Sequence, residues 1–114
     1  MEIIETAIMP NGTVIQLEDW SSHNTPEYPD LYGLTIGAYP IAKITGKGRW
    51  VEGGEKFRLT ISHNNYSGYT NADVKRDYEA LKNEKKSLED LSAHFWNGRK
   101  DMYYLGMIQA WELQ

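Results

Sequence analysis

The segment from Thr70 to Gly98, TNADVKRDYEALKNEKKSLEDLSAHFWNG, constrains the fold more than any other part of this chain of 114 residues. Start signals, apolar spacing and stop signals agree there. Thr70 and Asp73 stand in the helix-capping pattern Ser/Thr-x-x-Asp/Glu, which satisfies the first free backbone N–H groups of a helix. Val74, Tyr78 and Leu81 follow at i, i+4 and i+7, one face of a 3.6-residue period. Ser87 and Asp90 repeat the capping pattern, and Leu88, Leu91 and Phe95 follow at i, i+3 and i+7. Asn97-Gly98 is a stop signal. The apolar phase runs unbroken across residues 82–87, which fits one long helix. The second capping pattern favours a break near Lys86-Ser87, and hence two helices within 71–96.

The rest of the chain reads as strands. Asn11-Gly12 between apolar runs 3–9 and 13–20 is a strong hairpin signal, since a two-residue turn needs positive φ at both positions. That turn pairs Ile8 with Ile15 and Thr6 with Leu17. Ile4, Ile8, Ile15 and Leu17 then share the core face, and Glu5 lies opposite Glu18. A slip of one residue would invert both faces. Residues 21–33, SSHNTPEYPDLYG, are a loop by their prolines and turn formers, with Tyr28 and Tyr32 expected to fold back onto the domain. Residues 34–45 read as a strand whose Pro40 demands an edge or a bulge. Residues 46–56 hold four glycines and read as a connection. Phe57, Leu59 and Ile61 alternate with Arg58, Thr60 and Ser62 in the next strand. A closing strand is expected over about 101–108. The expected fold is α+β in one domain, 1–114: an antiparallel sheet of four or five strands with one or two helices (71–96) on one face. A half-open barrel closed by the helices is the alternative.

Composition excludes several kinds of chemistry. With no cysteine, a disulfide scaffold, a thiolate metal site and a cysteine nucleophile are ruled out. No apolar run reaches the roughly 20 residues of a membrane span, and MEIIETAIMPNG lacks the basic start of a secretory signal. A cytoplasmic location is expected, with no membrane partner. Net charge is −4, with −3 on residues 1–69 and −1 on 70–114. Without a basic patch, nucleic acid is a disfavoured partner.

No constellation of side chains announces a reaction. His23, His63 and His94 are not spaced as metal ligands, so neither a metal nor a cofactor is expected. The closest approach to an acid–base pair is His63 with Glu5 or Glu18 in a small hydrolase. Gly46-Lys47-Gly48-Arg49 with Gly53-Gly54 matches neither the Walker pattern nor the dinucleotide fingerprint. Lys47, Arg49, Lys56 and Arg58 are the groups a nucleic-acid binder would use.

Eight tyrosines and four tryptophans against two phenylalanines favour half-buried and interface positions. Trp20, Tyr28, Tyr32, Trp50, Tyr66 and Tyr69 lie in or beside loops and are the candidate binding residues. Clustered on the surface they would make a patch for a protein, a sugar or a base; as lids over the sheet ends they would look the same in sequence. The expected partner is another protein, the expected role non-catalytic, and homo-oligomerisation is left open.

The stretches ETAIMPNGT, VIQLEDW, GAYPIAK, FRLTI and DYEALKNEKKSLEDL, spread over most of the chain, resemble small uncharacterised proteins of Gram-positive bacteria carried by phages, plasmids and integrative elements, in domain-of-unknown-function families. The resemblance implies a setting, an accessory or anti-defence factor of a mobile element. It implies no activity and no site residues.

Overall fold

A computed structural model describes residues 1–44, 50–52, 57–63, 68–88, 90 and 107–112; at 43–44, 50–52, 57 and 107–112 the description is of the backbone. In chain order the elements are β1 (Glu2–Ile8), β2 (Val14–Asp19), β3 (Leu34–Tyr39), β4 (Ala42–Ile44), β5 (Trp50–Glu52), β6 (Phe57–Ser62), α1 (Asn71–Lys82) and β7 (Met107–Glu112). Five strands form one antiparallel sheet in the order β1-β2-β3-β6-β7, and β4 pairs with β5 in a separate ribbon. Helix α1 packs across β2 and β3. This is the α+β arrangement expected.

The core is the helix-facing side of the sheet. Ile15, Leu17, Leu34, Ile36, Ala38, Leu59 and Ile61 alternate along β2, β3 and β6, and join Val74, Tyr78, Leu81 and Leu88 in one buried cluster. Each fully buried aliphatic side chain contributes about 2 kcal/mol. Of the expected core residues, Leu91 and Phe95 lie outside the described residues, as does the side chain of Phe57.

The first hairpin departs from the expected register by one residue. Ile8 pairs with Val14, Ala7 with Ile15 and Glu5 with Leu17. The cause is Pro10. Its fixed φ suits the second position of a type I turn, closed by the Gly12 N–H donating to the Met9 carbonyl at 2.8 Å. Gly12 alone then needs the left-handed region, at φ 91°, and the loop has three residues. Asn11 Oδ1 accepts from the Thr13 N–H at 3.0 Å. The slip leaves β2 as expected and turns β1 over. Met9 is buried, whereas Ile4 is 48% and Ile8 70% exposed. Past Glu5 the register shifts again, so Ile4 is a bulged residue and Ile3 pairs with Glu18. Glu5 is therefore not opposite Glu18.

Three other expectations need correction. The strand over 34–45 breaks at Pro40, which lies between β3 and β4 because it cannot donate to a ladder; β3 is an interior strand with no bulge against its partners. Residues 50–52 of the glycine-rich connection form β5, while 45–49 and 53–56 lie outside the described residues. The closing strand runs to Glu112, further along than expected, and pairs Ile61 with Ile108.

Helix α1 begins with the capping box read from sequence. The Asp73 N–H donates to Thr70 Oγ1 at 3.4 Å and the Thr70 N–H to Asp73 Oδ2 at 2.8 Å. The Thr70 N–H first, and the Thr70 hydroxyl donating to the same oxygen at 3.1 Å second, hold the Asp73 carboxyl below its ordinary range. The helix stops after Lys82. The Lys85 N–H returns to the Ala80 carbonyl at 2.8 Å and the Glu84 N–H to that of Leu81 at 3.3 Å, the hydrogen-bond pattern of a Schellman end. Its left-handed position, usually glycine, is Glu84 at φ 61°. The second capping box also forms, with Ser87 N–H to Asp90 Oδ2 at 2.9 Å and Asp90 N–H to Ser87 Oγ at 3.1 Å. The helical segment is thus broken between Lys82 and Ser87.

Buried Asp77 fastens this region together. Tyr69 Oη donates to its Oδ2 at 2.6 Å, and Lys86 Nζ to its Oδ1 at 2.9 Å. Burial, followed by the Asp77 hydrogen bond, pushes the Tyr69 hydroxyl well above its ordinary pKa.

Candidate functional site

The loop between β2 and β3 is pinned by its own side chains. Asp19 Oδ1 accepts from the Ser21 N–H at 2.9 Å, which starts a short 3-10 turn at Ser21–His23 and holds the Asp19 carboxyl below its ordinary range. Asn24 bridges the loop to Tyr32 in both directions: its Nδ2 donates to the Tyr32 carbonyl at 2.8 Å, and its Oδ1 accepts the Tyr32 N–H at 2.6 Å. The Asp19–Ser21 contact is an Asx turn, the local bond that makes Asp and Asn common in such loops. The result groups three rings in tilted contacts. His23 lies 5.1 Å from Trp20 and 5.7 Å from Tyr32, centroid to centroid. Trp20 Nε1 donates to Glu18 Oε1 at 3.0 Å.

Of the aromatic residues singled out in sequence, Trp20 and Tyr32 are brought together through His23. Tyr28 does not fold back; it is 61% exposed, and Leu31 and Tyr32 beside it are exposed as well. Tyr69 is a correction: it is buried in the core, because Asp77 supplies a buried acceptor for its hydroxyl. Tyr66 and the side chain of Trp50 lie outside the described residues.

The loop forms one wall of a cleft of about 550 Å³ against the start of α1, lined among others by Ile4, Asp19, Asn24, Asp30, Tyr32, His63, Asn71 and Lys75. His63 is one of its lining residues. Its Nε2 donates to the Asp30 carbonyl at 3.3 Å, which places the ring hydrogen on Nε2. Its Nδ1 is sealed from solvent and has no hydrogen-bond partner among the described residues. Asn71 Oδ1 accepts from the Leu34 N–H at 2.9 Å and ties the helix start to β3. Gly33 permits this approach: a Cβ there would fall 2.5 Å from Asn71 Oδ1 and 3.0 Å from His63 Nδ1.

The His63–carboxylate pair is not assembled. Glu5 points toward α1, where Lys82 Nζ donates to it at 3.1 Å. That hydrogen bond first, and the neighbouring Tyr78 hydroxyl second, hold the Glu5 carboxyl below its ordinary range. Tyr78 Oη is buried and completes no hydrogen bond of ordinary geometry among the described residues; burial, followed by Glu5, raises its pKa. Glu18 faces the other side of the sheet. Arg58 Nη2 donates to both its oxygens, at 2.6 and 2.7 Å, across Gly37, where a Cβ would lie 2.6 Å from Arg58 and 2.7 Å from Glu18. Arg58 also donates to Tyr39 Oη at 3.2 Å. Engaged in this way, Arg58 is not presented to a phosphate backbone. Lys47, Arg49 and Lys56, the other cations of that reading, lie outside the described residues, as does His94. Among the described residues no His, Asp and Glu cluster could hold a metal ion, and no helix is long and apolar enough to cross a membrane.

Sequence reasoning missed Met1, Ile4 and Leu31, which stand with the loop aromatics on the surface. The Met1 amino group lies 3.5 Å from His23 Nε2, and Ile4 shares the cleft wall with Tyr32. The available signal was the charge pattern. The first 42 residues contain no Lys or Arg, yet hold Glu2, Glu5, Glu18, Asp19, Glu27 and Asp30. No protein-family model, curated protein or solved structure matches the chain.

Proposed function

We propose that this protein is a non-catalytic interaction module that binds another protein through the end of the sheet where β1 starts and the β2–β3 loop folds over. The observation that carries the reading is a set of exposed apolar and aromatic side chains, Met1, Ile4, Tyr28, Leu31 and Tyr32, borne by the start of β1 and by the β2–β3 loop at the same end of the sheet, with Ile4 and Tyr32 lining one cleft. Isolated exposed hydrophobics need no explanation, but a grouped set rimmed by polar side chains is what interfaces are made of. Tyrosines give large contact area at low entropic cost, and the loop holding them is already ordered by Asn24 and Asp19, which lowers the cost of ordering on binding. The resemblance to proteins of mobile elements supplies a setting: an accessory or anti-defence factor acting on a host protein.

The test is an affinity pull-down of tagged protein from a Gram-positive host lysate, with and without nuclease, beside the double variant Tyr28→Ala/Leu31→Ala. A stoichiometric protein that survives nuclease and is lost with the double variant is the expected result. A partner lost on nuclease treatment would replace this reading with nucleic-acid binding. Capture that ignores the double variant would remove the patch from the argument.

A further inference from the structure

The edge strand β1 is exposed over nearly its whole length. From Glu2 to Ile8 every residue is exposed except half-buried Ala7, and Ile3, Ile4 and Ile8 keep 49%, 48% and 70% of their surface. Its outward backbone groups can be assigned. The Met9 N–H donates to the Thr13 carbonyl at 2.8 Å, so the alternation of an antiparallel ladder directs the N–H and C=O of Ala7 and Glu5 toward β2. Those of Ile8 and Thr6 point away from the sheet, where no described strand pairs with them. Beyond Thr6 the bulge at Ile4 interrupts the ladder, and Ile4 lines the cleft together with Tyr32 of the aromatic loop.

Charge selects what can occupy this edge. Glu2 and Glu5 lie on the strand, and Asp19 and Asp30 on the cleft beside it. The cations near them come from α1: Lys75 in the cleft wall and Lys82 on Glu5. A second copy of this chain would bring the same carboxylates against themselves, and like charges opposed across a ladder are destabilising. Phosphate would be repelled for the same reason.

Resting on the interaction-module reading, we infer that β1 is completed by an extended segment of the partner protein in which Lys or Arg alternates with β-branched apolar residues. The segment adds as a sixth strand outside β1. Its backbone pairs with Thr6 and Ile8, its apolar side chains cover the exposed isoleucines, and its cations meet Glu2, Asp19 and Asp30. An Arg at the loop end stacks on Tyr28 or Tyr32. Four backbone hydrogen bonds give register but modest affinity, so specificity lies in the charges and the loop.

The test pans a random heptapeptide library displayed on phage against the protein. Enriched peptides are measured on the wild type, on Thr6→Pro, on Glu2→Lys/Asp30→Lys and on Tyr28→Ala/Leu31→Ala. Proline at Thr6 removes only an outward N–H, which an edge strand tolerates. The expected result is enrichment of alternating basic and β-branched sequences, with roughly tenfold or greater loss of affinity on Thr6→Pro, on the order of 1.4 kcal/mol, and a similar loss on charge reversal. Should Thr6→Pro fail to fold, hydrogen exchange on the wild type decides: bound peptide should slow the Thr6 and Ile8 amides and leave Ala7 unchanged. Peptides indifferent to Thr6→Pro but lost with the loop variant would overturn strand addition and leave the interaction module standing. Failure to enrich any sequence would overturn strand addition alone, since the lysate capture decides the broader reading independently.

Discussion

β1 and β2 are partners in one ladder, yet they are held by different physics. β2 presents Ile15 and Leu17 to the core and buries Glu18 on its other side. β1 has three isoleucines in seven residues and exposes all of them. Apolar content alone therefore did not decide burial; a one-residue choice at the turn did. β2 is fixed by packing and by strands on both sides. β1 is fixed by its ladder to β2 and by the Glu5–Lys82 bridge to α1, which leaves its apolar side chains to be covered by something else.

The contrast can be broken most severely at Glu18. Glu18→Ala strands Arg58 across Gly37 and should cost about 3 kcal/mol, at the low end for a broken buried pair because Arg58 keeps some access to water; urea denaturation at constant m measures it. The two isoleucines come next. Ile15→Ala should cost about 3 kcal/mol, while Ile8→Ala stays within about 0.5 kcal/mol. Equal losses at the two positions would restore the two-residue turn and refute the register. Smaller effects sharpen the helix side. Glu84→Gly relieves a left-handed residue and should stabilise by about 1 kcal/mol, read as a rise in Tm. Acidification gives the smallest effect. The folded pKa values of Glu5 and Asp73 lie below their ordinary 4.5 and 3.8, so their stabilisation is present at neutral pH and is lost as pH falls through and below those values. Lys82 is raised by the Glu5 hydrogen bond, so its share fades as pH climbs past its ordinary 10.5. Glu5→Gln should flatten stability against pH on both sides; an unchanged profile would show the bridge idle in solution.

What was legible in the sequence was local. Both capping boxes form because each needs residues only three apart, Thr70 with Asp73 and Ser87 with Asp90. The alternation of Leu59 and Ile61 with Arg58 and Thr60 survives into β6 because a half-buried strand has one period. The hairpin register was not legible, since Pro10, Asn11 and Gly12 offer two overlapping turns and only the three-residue form lets Pro10 lead a type I turn. The Glu18–Arg58 pair joins residues 40 apart, with Gly37 in an interior strand as its one faint mark. The candidate patch was half legible. Aromatic loops pointed to Tyr28 and Tyr32, but Met1, Ile4 and Leu31 joined them only through the bulge and the folded loop, and Tyr69 went to the core once Asp77 offered it a buried acceptor.

The carboxylate of Asp77 reaches Tyr69 eight residues before it and Lys86 nine residues after it. Both contacts close short loops, and short loops cost little chain entropy to close. Beyond the β1–β2 hairpin the sheet is the opposite case, with β3 waiting for β6 and β6 for β7. The expected order of assembly is that the Tyr69–Lys86 unit consolidates in the transition state and the long-range ladders zip onto it afterwards. Tyr69→Phe should then slow refolding by nearly its whole equilibrium cost, whereas Ile61→Val should mainly speed unfolding. A φ-value near zero at Tyr69 would reverse that order and make the sheet the template on which the helix forms.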